Sequence, residues 1–471
     1  MFRKTLFILF LFSASLHAAP IKTVIHGKVN GASDKWIRLY SYSNLITLKP
    51  IKLAQDSVGK KGTYRFELNL EPNEVKTVYF AVERFKSYDF YVEAGKTYEL
   101  NFDSLDYAVQ DEYYSPLISE FPRLNFKLPS DSLELNNLIA QLTMELIGFS
   151  ILDFAEVVRT RNIAKMDEFK FRLDSLFRGK GNDFFKNMVE YSFAELEFTA
   201  RLKRNSYFVS KYFSKRPFLY DHPAYMFFFD VFFDKYIYST SRKISIRDLD
   251  LNILQKRNYT ALLDSLGKDT LLKGEVVRDM VLIKNLSQMY FSDFYPRDSV
   301  YLLMKDISQL SKFKKHRDIA TSILTEMNLH QKEKPMSALR LRDVHGDPIN
   351  IDTMRGQYIY LMFFTTYCTV CYPEFAVIET LVNKYADNIH FVSVSMDVNF
   401  LKFFYFMQDY EYSWDFYNFS KNFDIEANWD VQVLPHAYMI NPKGVVINAN
   451  APMPSQYLDH YLKDLLKVDG K

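Results

Sequence analysis

"YIYLMFFTTYCTVCYPEFAVIETL", residues 358–381, decides the fold of the C-terminal part of this 471-residue chain. Tyr358–Phe364 is an uncharged apolar run of strand length, the pattern of a buried strand. Helical spacing takes over after Cys371 and predicts a helix over about 371–386. Between them, "CTVC" holds both cysteines of the chain, three positions apart. Chance placement of two cysteines rarely gives that spacing, so the pair reads as placed.

Its context on strand, turn and helix carries more meaning than the CxxC string. A thiol at a helix N-terminus meets unpaired N–H groups and the positive end of the helix dipole, which favour thiolate. Cys368 is then the accessible attacking sulfur, and Cys371, closer to the helix, resolves the mixed disulfide. Three other readings compete. A zinc site needs two more ligands, and no further cysteine or nearby histidine supplies them. A purely structural disulfide would close too short a loop to stabilise much. Two inert buried thiols are the third. Glu374, three residues past Cys371, falls on the same helical face. It is either a carboxylate that takes the resolving thiol's proton or a solvent-facing residue of the first turn.

Downstream the β/α pattern continues. Strands are expected at 389–397, 436–441 and 445–450, with helices near 398–409 and 455–467. Asn441-Pro442-Lys443-Gly444 has the composition of a hairpin turn. Upstream, charged "HQKEKP" (330–335) reads as a linker. Between 106 and 333 the period is helical: Leu135, Leu138, Ile139, Leu142 and Leu146 share one face, and Ser130-Asp131-Ser132 offers N-caps. Six to nine helices are expected there. The aromatic cluster at 218–236 reads as helix core rather than a ligand groove. Residues 22–104 alternate with period two, as in Tyr64, Phe66, Leu68 and Leu70, and "YDFYVEAGKTYELNF" gives two strands around Gly95. The fold class is therefore multidomain: an N-terminal antiparallel β-sandwich (20–105), a central all-α domain (106–333) and a C-terminal α/β domain (334–471).

The N-terminus, MFRKTLFILFLFSASLHAAP (1–20), has the order of a secretory signal: Arg3 and Lys4, an apolar run, then Ala18-Ala19. Residues 1–19 are expected to be cleaved, with an uncleaved anchor as the alternative. No later stretch reads as long and charge-free enough to cross a membrane. Removing Arg3 and Lys4 from 59 basic residues leaves 57, against 57 acidic ones. A neutral chain carries no electrostatic footprint for nucleic acid or anionic lipid. With 48% hydrophobic residues the chain can build two to four packed domains. Exported proteins can keep disulfides, and this one spends no cysteine on scaffolding.

Residues 336–468 resemble the thioredoxin-fold domains of TlpA/ResA-like exported thiol–disulfide oxidoreductases. The resemblance rests on "YCTVCYPEF", with Cys368, Cys371 and Glu374, and on "VQVLPHAYMINPKG", with Pro435 and Gly444. It implies that Cys368 and Cys371 form the redox disulfide and that Glu374 tunes them. It also implies that Pro435 is a cis-proline facing the dithiol, with Leu434 and Tyr367 contacting substrate. No cofactor or metal is implied. The partners would be periplasmic protein thiols and disulfides and a membrane or periplasmic thiol donor, in the cell envelope of a Gram-negative bacterium. The front portion, 22–104, resembles the β-domain that precedes such modules. Departures are Tyr367 and Phe364 where tryptophan is usual, Met362 where ordinary thioredoxin has a buried acid, Ala376 for proline, and His436 for threonine. His436 is either a titrating neighbour of the thiols or a packed residue.

The function expected is dithiol–disulfide exchange with protein substrates in the reducing direction. One alternative is a peroxidase, since Thr365 and Cys368 make T-x-x-C, although Leu361 stands where peroxidases of this fold have proline. Another is a binding or scaffold protein worked by its first 333 residues, which could also bring two copies together through the helical domain.

Overall fold

The computed structural model describes residues 19–468 except 84, 106–122, 130, 241–242, 291–294, 330–333, 336–338, 398, 420–428, 430 and 432–433. The signal-peptide expectation over residues 1–18 and the Ser130 cap lie outside the described residues, as does most of the 330–335 linker.

The N-terminal strands are β1 (Ile21–Lys28), β2 (Trp36–Tyr42), β3 (Pro50–Ser57), β4 (Thr63–Leu70), β5 (Val75–Val82), β6 (Phe85–Lys86), β7 (Phe90–Glu93) and β8 (Thr97–Glu99). They form two sheets, β4-β1-β8 and β3-β2-β5-β6, with β7 also on β5. The alternation in β4 buries Tyr64, Phe66, Leu68 and Leu70 while the residues between them stay exposed. Ile25 and Phe66 from one sheet and Leu39, Phe80 and Phe90 from the other share one core. The two strands expected around Gly95 are both present, but the wholly antiparallel pairing expected of the sandwich is not. The two strands around Gly95 do not pair with each other: β7 joins β5, while β8 runs parallel to β1. The turn carries the chain from one sheet to the other, so the arrangement is not wholly antiparallel. Close approach is tightest at Gly27, where an added Cβ would lie 1.8 Å from the Leu100 carbonyl oxygen.

The central region holds α1 (Leu135–Leu152), α2 (Phe154–Thr160), α3 (Ile163–Leu176), α4 (Asp183–Thr199), α5 (Asn205–Phe208), α6 (Pro223–Phe232), α7 (Ile246–Asp250), α8 (Tyr259–Gly267), α9 (Glu275–Tyr290), α10 (Arg297–Leu310) and α11 (Lys314–Leu329). These eleven α-helical segments among the described residues exceed the expected six to nine. The excess arises where short α5 and α7 run into π-helical turns at Val209–Phe213 and Leu251–Gln255, which a search for 3.6-residue periodicity does not resolve. The cap of α1 is Glu134, which accepts from the Asn136 and Asn137 amides, rather than Asp131 or Ser132. Aromatic residues Tyr225, Phe228, Phe229, Phe232, Phe233 and Tyr236 lie in a buried core, as expected. Phe227 is the outward-facing exception at 60% exposure. Contrary to the sequence reading, α1 is long and apolar enough by composition to cross a membrane, with 28% of that span buried. Its single Glu145 breaks the run too weakly to matter to that measure.

The C-terminal elements are β9 (Lys334–Pro335), β10 (Arg340–Arg342), β11 (Pro348–Asn350), β12 (Tyr358–Phe364), α12 (Tyr372–Tyr385), β13 (Ile389–Ser395), α13 (Phe400–Asp409), β14 (Asp415–Asn418), β15 (His436–Ile440), β16 (Val445–Asn448) and α14 (Leu458–Val468). The sheet order is β11-β10-β14-β13-β12-β15-β16-β9. β12 is parallel to β13 and antiparallel to β15. It is covered on both faces, which explains its unbroken apolar sequence. Tyr358, Tyr360, Met362 and Phe364 enter the core shared with α12, α13 and α14. Ile359, Leu361 and Phe363 enter the opposite one. This is the α/β, thioredoxin-like arrangement expected, with the short strands β9, β10, β11 and β14 added.

Candidate active site

Strand β12 delivers the chain to the dithiol turn. The Cys368 amide donates to the Thr365 carbonyl at 3.0 Å, and the Cys371 amide to the Cys368 carbonyl at 2.9 Å. Cys371 is the N-cap of α12, and its carbonyl accepts the first helical bond from the Phe375 amide at 3.1 Å. The two sulfurs are joined in a disulfide with Cα atoms 5.3 Å apart. Cys368 keeps 7% of its surface exposed, whereas Cys371 has none. An incoming thiol therefore meets Cys368 first. Met362 and Phe364 share the apolar cluster with both cysteines, so the position of the missing acid is filled by a side chain that cannot titrate.

Glu374 is buried at 8% exposure, which rules out the solvent-facing alternative. Its carboxylate accepts the Ser455 amide at Oε2 (2.7 Å) and the Ser455 hydroxyl at Oε1 (2.6 Å). A carboxylate has about four lone-pair sites, so capacity for a further proton donor remains. The Leu434–Pro435 peptide is cis. Pairing of Phe363 with His436 places Pro435 beside the end of β12, and Leu434 packs on the cluster that contains both cysteines. Tyr367 is 42% exposed beside Cys368. His436 is packed rather than free: its Nε2 donates to the Ala449 carbonyl at 2.8 Å, and its ring lies 4.8 Å from that of Tyr438.

Two features of the site go beyond the sequence reading, which weighed Thr365 only as part of T-x-x-C and did not single out Asp397. Thr365 is buried, and its hydroxyl has no hydrogen-bond partner among the described residues. Asp397, just past β13, is 2% exposed; burial pushes its pKa up, against the donors that hold it. Its two oxygens accept the Thr366 amide and hydroxyl, each at 2.9 Å. The available signal was a lone acid closing the apolar strand sequence "IHFVSVSMD", at the carboxyl end where α/β sheets place their sites.

Residues 333–449 match the AhpC/TSA family. The C-terminal domain is thioredoxin-like. It is similar to the thiol-disulfide oxidoreductase ResA of Bacillus subtilis (strain 168), 24% identical over 132 residues that make up 27% of this chain and 71% of ResA. Among solved structures, the thioredoxin domain of a thiol-disulfide oxidoreductase from Bacteroides vulgatus is 16% identical, with 28% of this chain and 96% of that one covered and a TM-score of 0.27. A thioredoxin-like protein from Bacteroides caccae is 12% identical, with 46% and 88% covered and a TM-score of 0.32.

Proposed function

We propose that this protein is an exported thiol–disulfide oxidoreductase that reduces disulfides of periplasmic or cell-envelope proteins. The observation that carries the reading is a disulfide at the N-cap of α12 with one accessible and one closed cysteine. In its reduced state, Cys368 thiolate attacks a substrate disulfide lying along Leu434–Pro435 and Tyr367, forming a mixed disulfide and expelling one substrate thiolate. Cys371 gives up its proton toward Glu374 and attacks the Cys368 sulfur. The second substrate thiolate leaves, and the 368–371 disulfide forms as two electrons pass to the substrate. A membrane or periplasmic thiol donor must return those electrons. Replacing Cys368 with Ser tests the scheme: reduction of insulin disulfides should fall to background, and unchanged activity would refute it.

The division into domains at about 105 and 333 suggests separate work for the helical region. Met144, Ile147, Ile151 and Leu152 leave an exposed apolar stripe on α1, with open space over Gly148 in its midst. We propose that a second copy docks there, since a glycine lets another helix backbone approach. Ile151→Glu should shift sedimentation from dimer to monomer; a wild-type monomer at all concentrations would exclude it.

A further inference from the structure

Thr366 stands two residues before Cys368, and every polar group it owns is engaged. Asp397 takes its amide and its hydroxyl. The Tyr372 hydroxyl, one residue beyond Cys371, donates to its carbonyl at 2.6 Å. Asp397 is held in turn. The Ser395 hydroxyl donates to Oδ2 at 2.6 Å, the Asp397 amide donates to Ser395 Oγ at 3.1 Å, and Asn418 Nδ2 donates to the Asp397 carbonyl at 2.8 Å. The Thr366–Tyr372 bond therefore closes, without covalency, a loop that encloses both cysteines, and Asp397 ties that loop to β13.

We propose that Asp397, Thr366 and Tyr372 form a clamp that keeps the 366–372 loop closed when the disulfide is reduced, and so sets the redox equilibrium of the pair. The inference rests on the redox role given to the pair above. When two glutathione thiols reduce the disulfide, one S–S bond breaks, one glutathione disulfide leaves, and two electrons with two protons remain on Cys368 and Cys371. The covalent link across the loop is then gone. The clamp keeps each sulfur at high effective concentration for the other, which favours re-forming the disulfide. These are positioning residues, since their hydrogen bonds run to one another and not to either sulfur. Loosening the clamp lets the dithiol form relax while the disulfide form stays constrained, so the disulfide becomes easier to reduce.

The test equilibrates the full-length protein in glutathione buffers, quenches with acid and counts free thiols by mass tag. Tyr372→Phe and Asp397→Ala should each lower the constant for disulfide formation by about threefold to tenfold; tenfold corresponds to about 30 mV for this two-electron couple. Asp397→Asn keeps an acceptor for the Thr366 amide and should restore most of the loss. A residue that only supports the fold would lower thermal stability and leave the constant alone. A constant within twofold of wild type in both Tyr372→Phe and Asp397→Ala overturns the inference. If Asp397→Ala does not fold, Tyr372→Phe decides alone. Intact insulin reduction in Cys368→Ser would instead defeat the functional proposal, while the shift in the constant would still be measurable.

Discussion

Cys371 begins α12 with its sulfur closed to solvent, and Cys368 precedes it at the surface of the same cluster. Cys371→Ser should therefore trap a mixed disulfide through Cys368, visible as a reductant-sensitive band on a gel. Cys368→Ser should give none. At Thr365 the buried hydroxyl meets no hydrogen-bond partner among the described residues. Thr365→Val, nearly the same shape, should raise stability by about 1 kcal/mol in urea denaturation. A loss instead would show that the hydroxyl has a partner in the working protein. Cys368, Cys371 and Glu374 were legible because strand, turn and helix are local events along the chain. Asp397 was not, because its partner Thr366 lies 31 residues away and only the parallel pairing of β12 with β13 brings them together.

Among elements, α6 depends on a histidine in one tautomer. His222 Nε2 donates to the Phe184 carbonyl at 2.9 Å, while Nδ1 accepts the Tyr225 amide at 3.4 Å and caps the helix. Burial lowers its pKa below the usual 6.5, so the folded protein holds it neutral where the unfolded chain takes a proton. Stability from this group is full well above pH 6.5 and is lost as the pH drops toward the lowered pKa of the folded state. Urea midpoints at pH 7.5 and 5.5 should diverge in wild type and converge in His222→Asn, which keeps a cap. In the sandwich, Gly27→Ala would drive a methyl into the Leu100 carbonyl and should cost more than about 2 kcal/mol, or abolish folding of that part. Long elements such as β4, β12 and α12 were readable because each buries a periodic face. Two- to four-residue strands and π-helical turns carry too few residues for any period to register.

At the scale of the whole molecule, the sandwich meets the helical region through a side chain acting as a strand. Asn136 Oδ1 accepts the Tyr91 amide at 2.8 Å, and its Nδ2 donates to the Tyr91 carbonyl at 2.9 Å. Asn182 adds a bond to Glu93 at 2.8 Å, and the Tyr91 and Phe184 rings lie 5.5 Å apart. Asn136→Ala leaves both Tyr91 groups unpaired and should cost about 2 kcal/mol. Calorimetry should then resolve two transitions where a single one is expected for wild type. Nothing in the sequence near Asn136 announces this contact, since a buried asparagine reads like any helix residue until its partner is placed. At the other end of the chain, the pairing of β9 with β16 bears on how the redox module can be isolated. Among the described residues, Lys334 and Pro335 are what pairs with the outer strand. A fragment starting at Leu339 would bare a row of main-chain donors and acceptors to any passing strand, and its copies would join edge to edge into aggregates. One starting at 330 keeps its guard, so a nine-residue choice of start site separates a tractable monomer from a sticky polymer.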